Sequence, residues 1–211
     1  MAILHRATLQ PTKLEILSAW APAQAWAAGE AGGPLSIVGS YRFDDPDGEV
    51  GIETVLMATA GGSVLQVPLT YRARPLDGAE GALLATTEHS VLGRRWVYDG
   101  CGDPVWVTAM LTTTLTGGTQ AEELVDMGDH REPRAATATV VGSGTPGTPV
   151  GPVGTLSCRD EGATTVVRTD QFELVVVRVV GAEVSGAQTL TGSWGDGASA
   201  VLAAVRSLDV V

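Results

Sequence analysis

Residues 2–9 (AILHRATL) alternate loosely between apolar and polar positions, as a first strand would. The spacing then turns helical. Thr12-Lys13-Leu14-Glu15 reads as a capping box: the threonine side chain closes one free backbone N–H and the glutamate reaches back to the cap. Leu14, Leu17 and Ala21 fall on one helical face, with Ile16 and Trp20 beside it. The pattern predicts a helix over 12–21, stopped by Pro22, and a second short helix over 23–28 closed by Gly29. From residue 35 the period becomes two. Segments 35–43 and 49–58 flank Asp45-Pro46-Asp47-Gly48, a tight-turn signature. After Gly61-Gly62 the chain returns over 63–72, where Pro68 points to an edge strand or a bulge. Strands over 82–90 and 94–99 follow, so a meander of consecutive antiparallel strands is expected.

Asp103 as N-cap and Pro104 in the first turn open a helix over about 103–116, which ends at Gly117-Gly118. Its apolar residues cover most of the circumference, and burial against the preceding sheet follows. Residues 128–136 are polar, and 142–154 (GSGTPGTPVGPVG) is too rich in Gly and Pro for regular structure. Strands are expected over 163–169, 172–180 and 187–194, while 198–207 fits helix or strand equally. The order is that of an α+β protein: a curved antiparallel meander packed with helices, then a further antiparallel β segment. The expected division is an α+β region at 1–130 and a β-rich region at 131–211, the latter either continuing the first sheet or standing apart.

Composition narrows the chemistry. The chain has no asparagine, and Lys13 is its single lysine against twelve arginines. The formal net charge of −11 argues against a nucleic-acid partner and against an anionic membrane surface. No apolar run approaches the roughly 20 residues that span a bilayer. The first residues lack the basic stretch and apolar core of a secretion signal, so a cytoplasmic location is expected. Cys101 and Cys158 are too few for a disulfide framework, and His5, His89 and His130 are scattered. No metal site and no cofactor are expected.

Several motifs weaken on inspection. Gly142-Ser-Gly144-Thr-Pro-Gly147 has the spacing of a dinucleotide loop, but Pro146, Pro149 and Pro152 prevent the helix that must follow it. The acidic turn Asp44, Asp45, Asp47, Glu49 does not fit a calcium loop, because aligning Gly48 puts Phe43 and Thr54 at ligand positions. There is no Gly-x-Ser-x-Gly elbow. The densest stretch is 88–103, with Glu88, His89, Arg94, Arg95, Tyr98 and Asp99. It fits an acid–base pair of His89 with Glu88 or Asp99, or an Arg–aromatic platform for a sugar or phosphate. The favoured reading is structural, a cross-strand Arg–Asp ion pair with Trp96 and Tyr98 facing the core, because no spacing here forms a recognised catalytic set. Of the five tryptophans, Trp20, Trp96 and Trp106 suit core faces. Trp26, among small residues, is the candidate for stacking on a ligand.

Leu17-Ser-Ala-Trp20-Ala-Pro-Ala-Gln24-Ala-Trp26-Ala-Ala-Gly29 and Val64-Leu-Gln66-Val-Pro-Leu-Thr-Tyr71 resemble the N-terminal cap domain of actinobacterial maltokinases over about residues 12–75. Tyr41-Arg-Phe-Asp-Asp-Pro-Asp-Gly-Glu-Val-Gly-Ile-Glu-Thr54 and Glu88-His-Ser-Val-Leu-Gly-Arg-Arg-Trp-Val-Tyr-Asp99 resemble stand-alone proteins of that cap-like group. The resemblance implies a curved antiparallel sheet with helices and no catalytic residues in the cap itself. A kinase of this class needs an asparagine metal ligand, which this chain cannot supply. The expectation is a non-catalytic protein acting by association with a sugar kinase or another enzyme of α-glucan or trehalose metabolism. Two alternatives stand beside it: a small enzyme or sugar/phosphate-binding protein built on the 88–99 segment, and a structural homo-oligomer.

Overall fold

The structure is a computed structural model that describes residues 1–151 and 153–208; Pro152 lies outside them. Two short strands, β1 (Ala2–His5) and β2 (Leu9–Gln10), stand where one was expected, and lead to helix α1 (Lys13–Trp20). The capping box forms: Thr12 Oγ1 accepts from the Glu15 amide, and Glu15 accepts from the Thr12 amide. Ile16 and Leu17 are buried, but Leu14, expected on the same face, is 38% exposed. Helix α1 stops just before Pro22, as expected; the proline then falls in the first turn of a 3₁₀ helix at Ala21–Ala23, where its missing N–H has no required partner. The second helix is likewise a single 3₁₀ turn, Ala25–Ala27.

Five strands follow: β3 (Ser36–Phe43), β4 (Gly51–Ala58), β5 (Val64–Arg72), β6 (Leu83–His89) and β7 (Gly93–Asp99). With β2 they make a six-stranded sheet in the order β2-β6-β7-β5-β4-β3. The pairing is antiparallel throughout, but β7, not β6, lies beside β5, so the meander exchanges its last two strands. Alternation on β4 divides two cores. Ile52 and Leu56 face helix α2 (Pro104–Thr116), whereas Val55 and Met57 face α1 and Trp26.

After α2 come β8 (Glu123–Asp126), β9 (Arg131–Arg134) and β10 (Ala138–Gly142). β8 pairs in parallel with β1 and antiparallel with β9, a three-stranded sheet the sequence did not announce. The remaining strands are β11 (Ser157–Glu161), β12 (Thr164–Arg168), β13 (Phe172–Val177), β14 (Gln188–Trp194) and β15 (Ala198–Ser207). They form the second six-stranded sheet, β10-β14-β15-β13-β12-β11. The ambiguous segment 198–207 is therefore a strand. It pairs on both sides, with β13 and with β14. The α+β class holds, with antiparallel sheets dominant.

Helix α2 lies between the two large sheets rather than on the preceding one alone. Trp106, Val107, Met110 and Leu111 join Ile52 and Leu56 on one side and Val140, Leu174, Leu190 and Leu202 on the other. Strand β5 is the second junction. Its Gln66 amide donates to the Arg178 carbonyl, and its Val64 carbonyl accepts from the Val180 amide. Pairing with β7 begins only at Leu69. Pro68 falls between these two stretches, so a strand interior tolerates it without the edge or bulge expected from sequence. The buried Gln66 side chain completes the join. It accepts from Tyr41 Oη at 3.0 Å and donates to the carbonyls of Val177 at 2.8 Å and Leu202 at 2.9 Å.

The glycines of the G-x-G-x-x-G stretch have a packing reason. The Gly144 and Thr145 amides donate to the Thr114 and Leu115 carbonyls, which α2 leaves free at its C-terminus. A side chain at Gly142 or Gly144 would collide with the Thr113 or Leu115 carbonyl oxygen. Gly144→Ala is expected to cost about 2 kcal/mol or more through overpacking and lost capping. Urea unfolding of the variant checks this, and an unchanged midpoint would show that the loop yields freely.

Candidate functional site

The residues picked from sequence fall into two places. At the β6–β7 hairpin, Glu88 and Arg94 are register partners and form an exposed ion pair, Nε to Oε1 at 2.8 Å. His89 Nδ1 accepts from the Val91 and Leu92 amides, so its ring closes the hairpin turn. Burial, with His5 and Arg95 nearby, holds the His89 imidazole below its ordinary pKa. Arg95, next to Arg94 on β7, is half-buried.

Tyr98 and Asp99 lie at the far end of β7. Tyr98 is 2% exposed, and its hydroxyl accepts from the Leu76 amide at 2.9 Å. Asp99 caps the 3₁₀ turn at Gly100–Gly102 by accepting from the Cys101 amide, and it pairs with Arg178. Trp26 is buried, not open for stacking on a ligand; the Arg178 guanidinium sits 5.0 Å from its ring centroid. Asp99 and Trp26 thus meet at Arg178, while the Glu88–His89–Arg94 group is at the other end of the strand.

Arg178 itself was missed. It is 1% exposed, donates from Nε to Thr165 Oγ1 at 2.8 Å and from Nη2 to Asp99, and its Nη1 finds no partner among the described residues. Burial works against its charge, but Asp99 holds the guanidinium firmly protonated. Cys101 and Cys158 are both free thiols close to this centre. Cys158 Sγ donates to the Cys101 carbonyl. Cys158 is exposed as a residue, but the protein packed around its sulfur and the Asp99 carboxylate push the thiol up to about 11, so it is a poor thiolate at neutral pH.

Besides a wider concavity of about 700 Å³ on the second large sheet, lined among others by Thr164, Val175, Ala200 and Arg206, a smaller cleft gathers charged side chains, and neither holds any of the seven residues picked from sequence. The smaller cleft, of about 290 Å³, lies where the head of α1, the edge strand β3 and the short sheet of β8 and β9 meet. Cross-strand register places Arg42 opposite Glu53. Glu53 is 2% exposed. Its Oε1 accepts from Lys13 Nζ at 2.7 Å; its Oε2 lies 3.1 Å from Arg42 Nη2 and accepts from Tyr71 Oη at 3.1 Å. Burial pushes this carboxyl up, but the charges of Arg42 and Lys13 outweigh it and bring Glu53 down to about 2. The single lysine, at the start of α1, is one of its two counter-ions.

Glu123 enters the same cleft from β8. Its side chain is 4% exposed, and Arg134 Nε approaches only to 3.9 Å. No hydrogen bond to the Glu123 carboxylate is found among the described residues. Burial pushes its pKa up more than Arg42 and Arg134 pull it down. Chemically the cleft offers one saturated carboxylate, one carboxylate without a donor among the described residues and a half-exposed guanidinium. Among the described residues no group of three or more His, Cys, Asp or Glu side chains is placed to hold a metal ion. No helix among them is long and apolar enough to cross a membrane.

Residues 20–103 match the family model of the maltokinase N-terminal cap domain. The matched segment begins later than the 12–75 resemblance and runs on through β6 and β7, ending at the N-cap of α2. It covers less than half of the chain. No curated protein matches the sequence.

Proposed function

Starting from that cap-domain match, we propose that this protein is a non-catalytic cap-like module that acts by associating with a sugar kinase or another enzyme of α-glucan or trehalose metabolism. The carrying observation is the match over residues 20–103, the span that holds β3 to β7. The absence of asparagine from all 211 residues supports the non-catalytic half of the reading, because a kinase catalytic loop uses that amide to hold its metal. We further infer that 1–130 and 131–211 act together, since Gln66 of β5 bonds directly to the backbone of β13 and β15.

The test is direct mixing of the purified chain with a purified maltokinase-family kinase, read by sedimentation velocity and by sugar phosphorylation. A complex with a Kd below about 10 μM is expected, with no ATP-dependent phosphorylation by the chain alone. Two free species at tens of micromolar would overturn the association, and phosphorylation by the chain alone would overturn the non-catalytic assignment. Self-association in the same experiment would favour the homo-oligomer instead.

A further inference from the structure

We propose that the cleft beside Glu53 binds a free α-amino acid as its zwitterion, with the ammonium group against Glu123 and the carboxylate against Arg134. This goes beyond association, because it can be tested on the isolated chain. Three of the five charged residues, Lys13, Glu123 and Arg134, also lie outside the matched cap segment.

The charges of the cleft do not all need a ligand. Glu53 is already saturated by Lys13, Arg42 and Tyr71. It therefore acts as a positioning residue that fixes the Arg42 guanidinium at the cleft wall. Glu123 differs. A carboxylate so deeply set normally accepts several hydrogen bonds from protein; Glu123 accepts none among the described residues, and its oxygens are not sealed off, so donors come to it from the cleft side. Arg134 is the nearest cation, but 3.9 Å is too long for a hydrogen bond, and its side chain is 51% exposed and able to swing. An occupant that supplies strong donors to Glu123 and an acceptor to Arg134 satisfies both groups at once.

An α-amino acid carries both on one carbon. Its ammonium has three donors, and its carboxylate accepts the fork of an arginine. With both glutamates ionised the cleft carries a net charge of +1 from Lys13, Arg42 and Arg134 against Glu53 and Glu123. That residual charge favours the carboxylate end without repelling a neutral zwitterion. Ile37 and Val38 give the cleft an apolar wall for the side chain. A volume near 290 Å³ sits at the low end of ligand pockets, which run from about 300 Å³ upward, and suits a small molecule. Inorganic phosphate would satisfy Arg134 but place a second anion beside Glu123, and a simple amine would leave Arg134 unmet.

The experiment is calorimetric titration of the full chain with alanine, valine and leucine. The N-acetyl derivative and the amide of the best binder follow. Saturable binding of at least one free amino acid is expected with a Kd below about 1 mM. N-acetylation, amidation, Glu123→Gln and Arg134→Ala should each weaken it at least about tenfold. Arg134 is half exposed, so Arg134→Ala should keep the wild-type melting temperature; it tests the site even if Glu123→Gln fails to fold. Absence of saturable binding by all three amino acids, or equal binding of the N-acetyl derivative, would overturn the proposal. Neither result would bear on kinase association, which is read with a different partner.

Discussion

Replacing Glu53 with alanine is expected to lower stability by about 3–5 kcal/mol, the usual consequence of stripping one partner from a buried ion pair. Lys13 and Arg42 would then face each other with 24% and 16% side-chain exposure and no anion between them. Tyr71 would lose the acceptor for its hydroxyl. Against a total stability of roughly 5–15 kcal/mol, such a loss is severe. Glu53→Gln keeps the shape and part of the hydrogen bonding but not the charge, and should fall between wild type and Glu53→Ala.

The same residue sets an acid limb. The folded value of about 2 lies below the ordinary 4.5, so the unfolded chain binds this proton more readily. The contribution of Glu53 is complete above the unfolded value and is lost as pH falls toward about 2. It is worth on the order of 3 kcal/mol. Glu123, whose pKa is raised, works in the opposite direction and softens the limb. Urea unfolding at several pH values between neutrality and pH 3 checks both parts. The wild type should lose stability on acidification, and Glu53→Gln should show a flatter profile. An identical pH profile in the two proteins would show that Glu53 carries no charge-dependent stability.

Asp99→Ala is expected to be comparably damaging, at about 3–5 kcal/mol, because it strands the charge of Arg178 in the interior. Thr165, the Trp26 ring and the Asp160 carboxylate behind Thr165 would remain as compensation, alongside an Nη1 already without a partner among the described residues. The reverse change is milder. Arg178→Met removes the buried guanidinium and leaves Asp99, 14% exposed and still accepting from the Cys101 amide. The double variant should therefore be more stable than Asp99→Ala alone, a coupling that double-mutant analysis of urea midpoints reads directly. If Arg178→Met proves as destabilising as Asp99→Ala, the loss comes from packing around Trp26 and not from a stranded charge.

What could be read from the chain was local. Thr12 with Glu15 marked the start of α1, and Asp103-Pro104 with Gly117 bounded α2, because capping chemistry lies within a few residues of what it caps. Strands β9 and β11 escaped notice because REPR and SCRDE are exposed throughout and show no alternation. The exchange of β6 and β7 in the sheet leaves no local trace either. The candidate residues at 88–99 form a dense run in sequence, but a seven-residue strand separates their two ends in space. Clues to the missed groups were present. Arg42 sits between two core aromatics, Glu53 within GIETVLMA and Arg178 between valines. A lone charge in an apolar strand signals a buried partner. Naming that partner needs the register that brings Glu53 to Arg42, or the fold that brings Asp99 to a residue 79 positions away.

Strand β5 gives one flank to neighbours from both large sheets, the chain near Arg178 along its first half and β7 along its second. It acts as a common rivet. Tilting either sheet about this line would break backbone pairing on the other, so the seam is a poor place for a hinge. A partner of the kind proposed would meet contours already in place and spend little free energy on ordering them, which would leave more of each contact to appear as affinity.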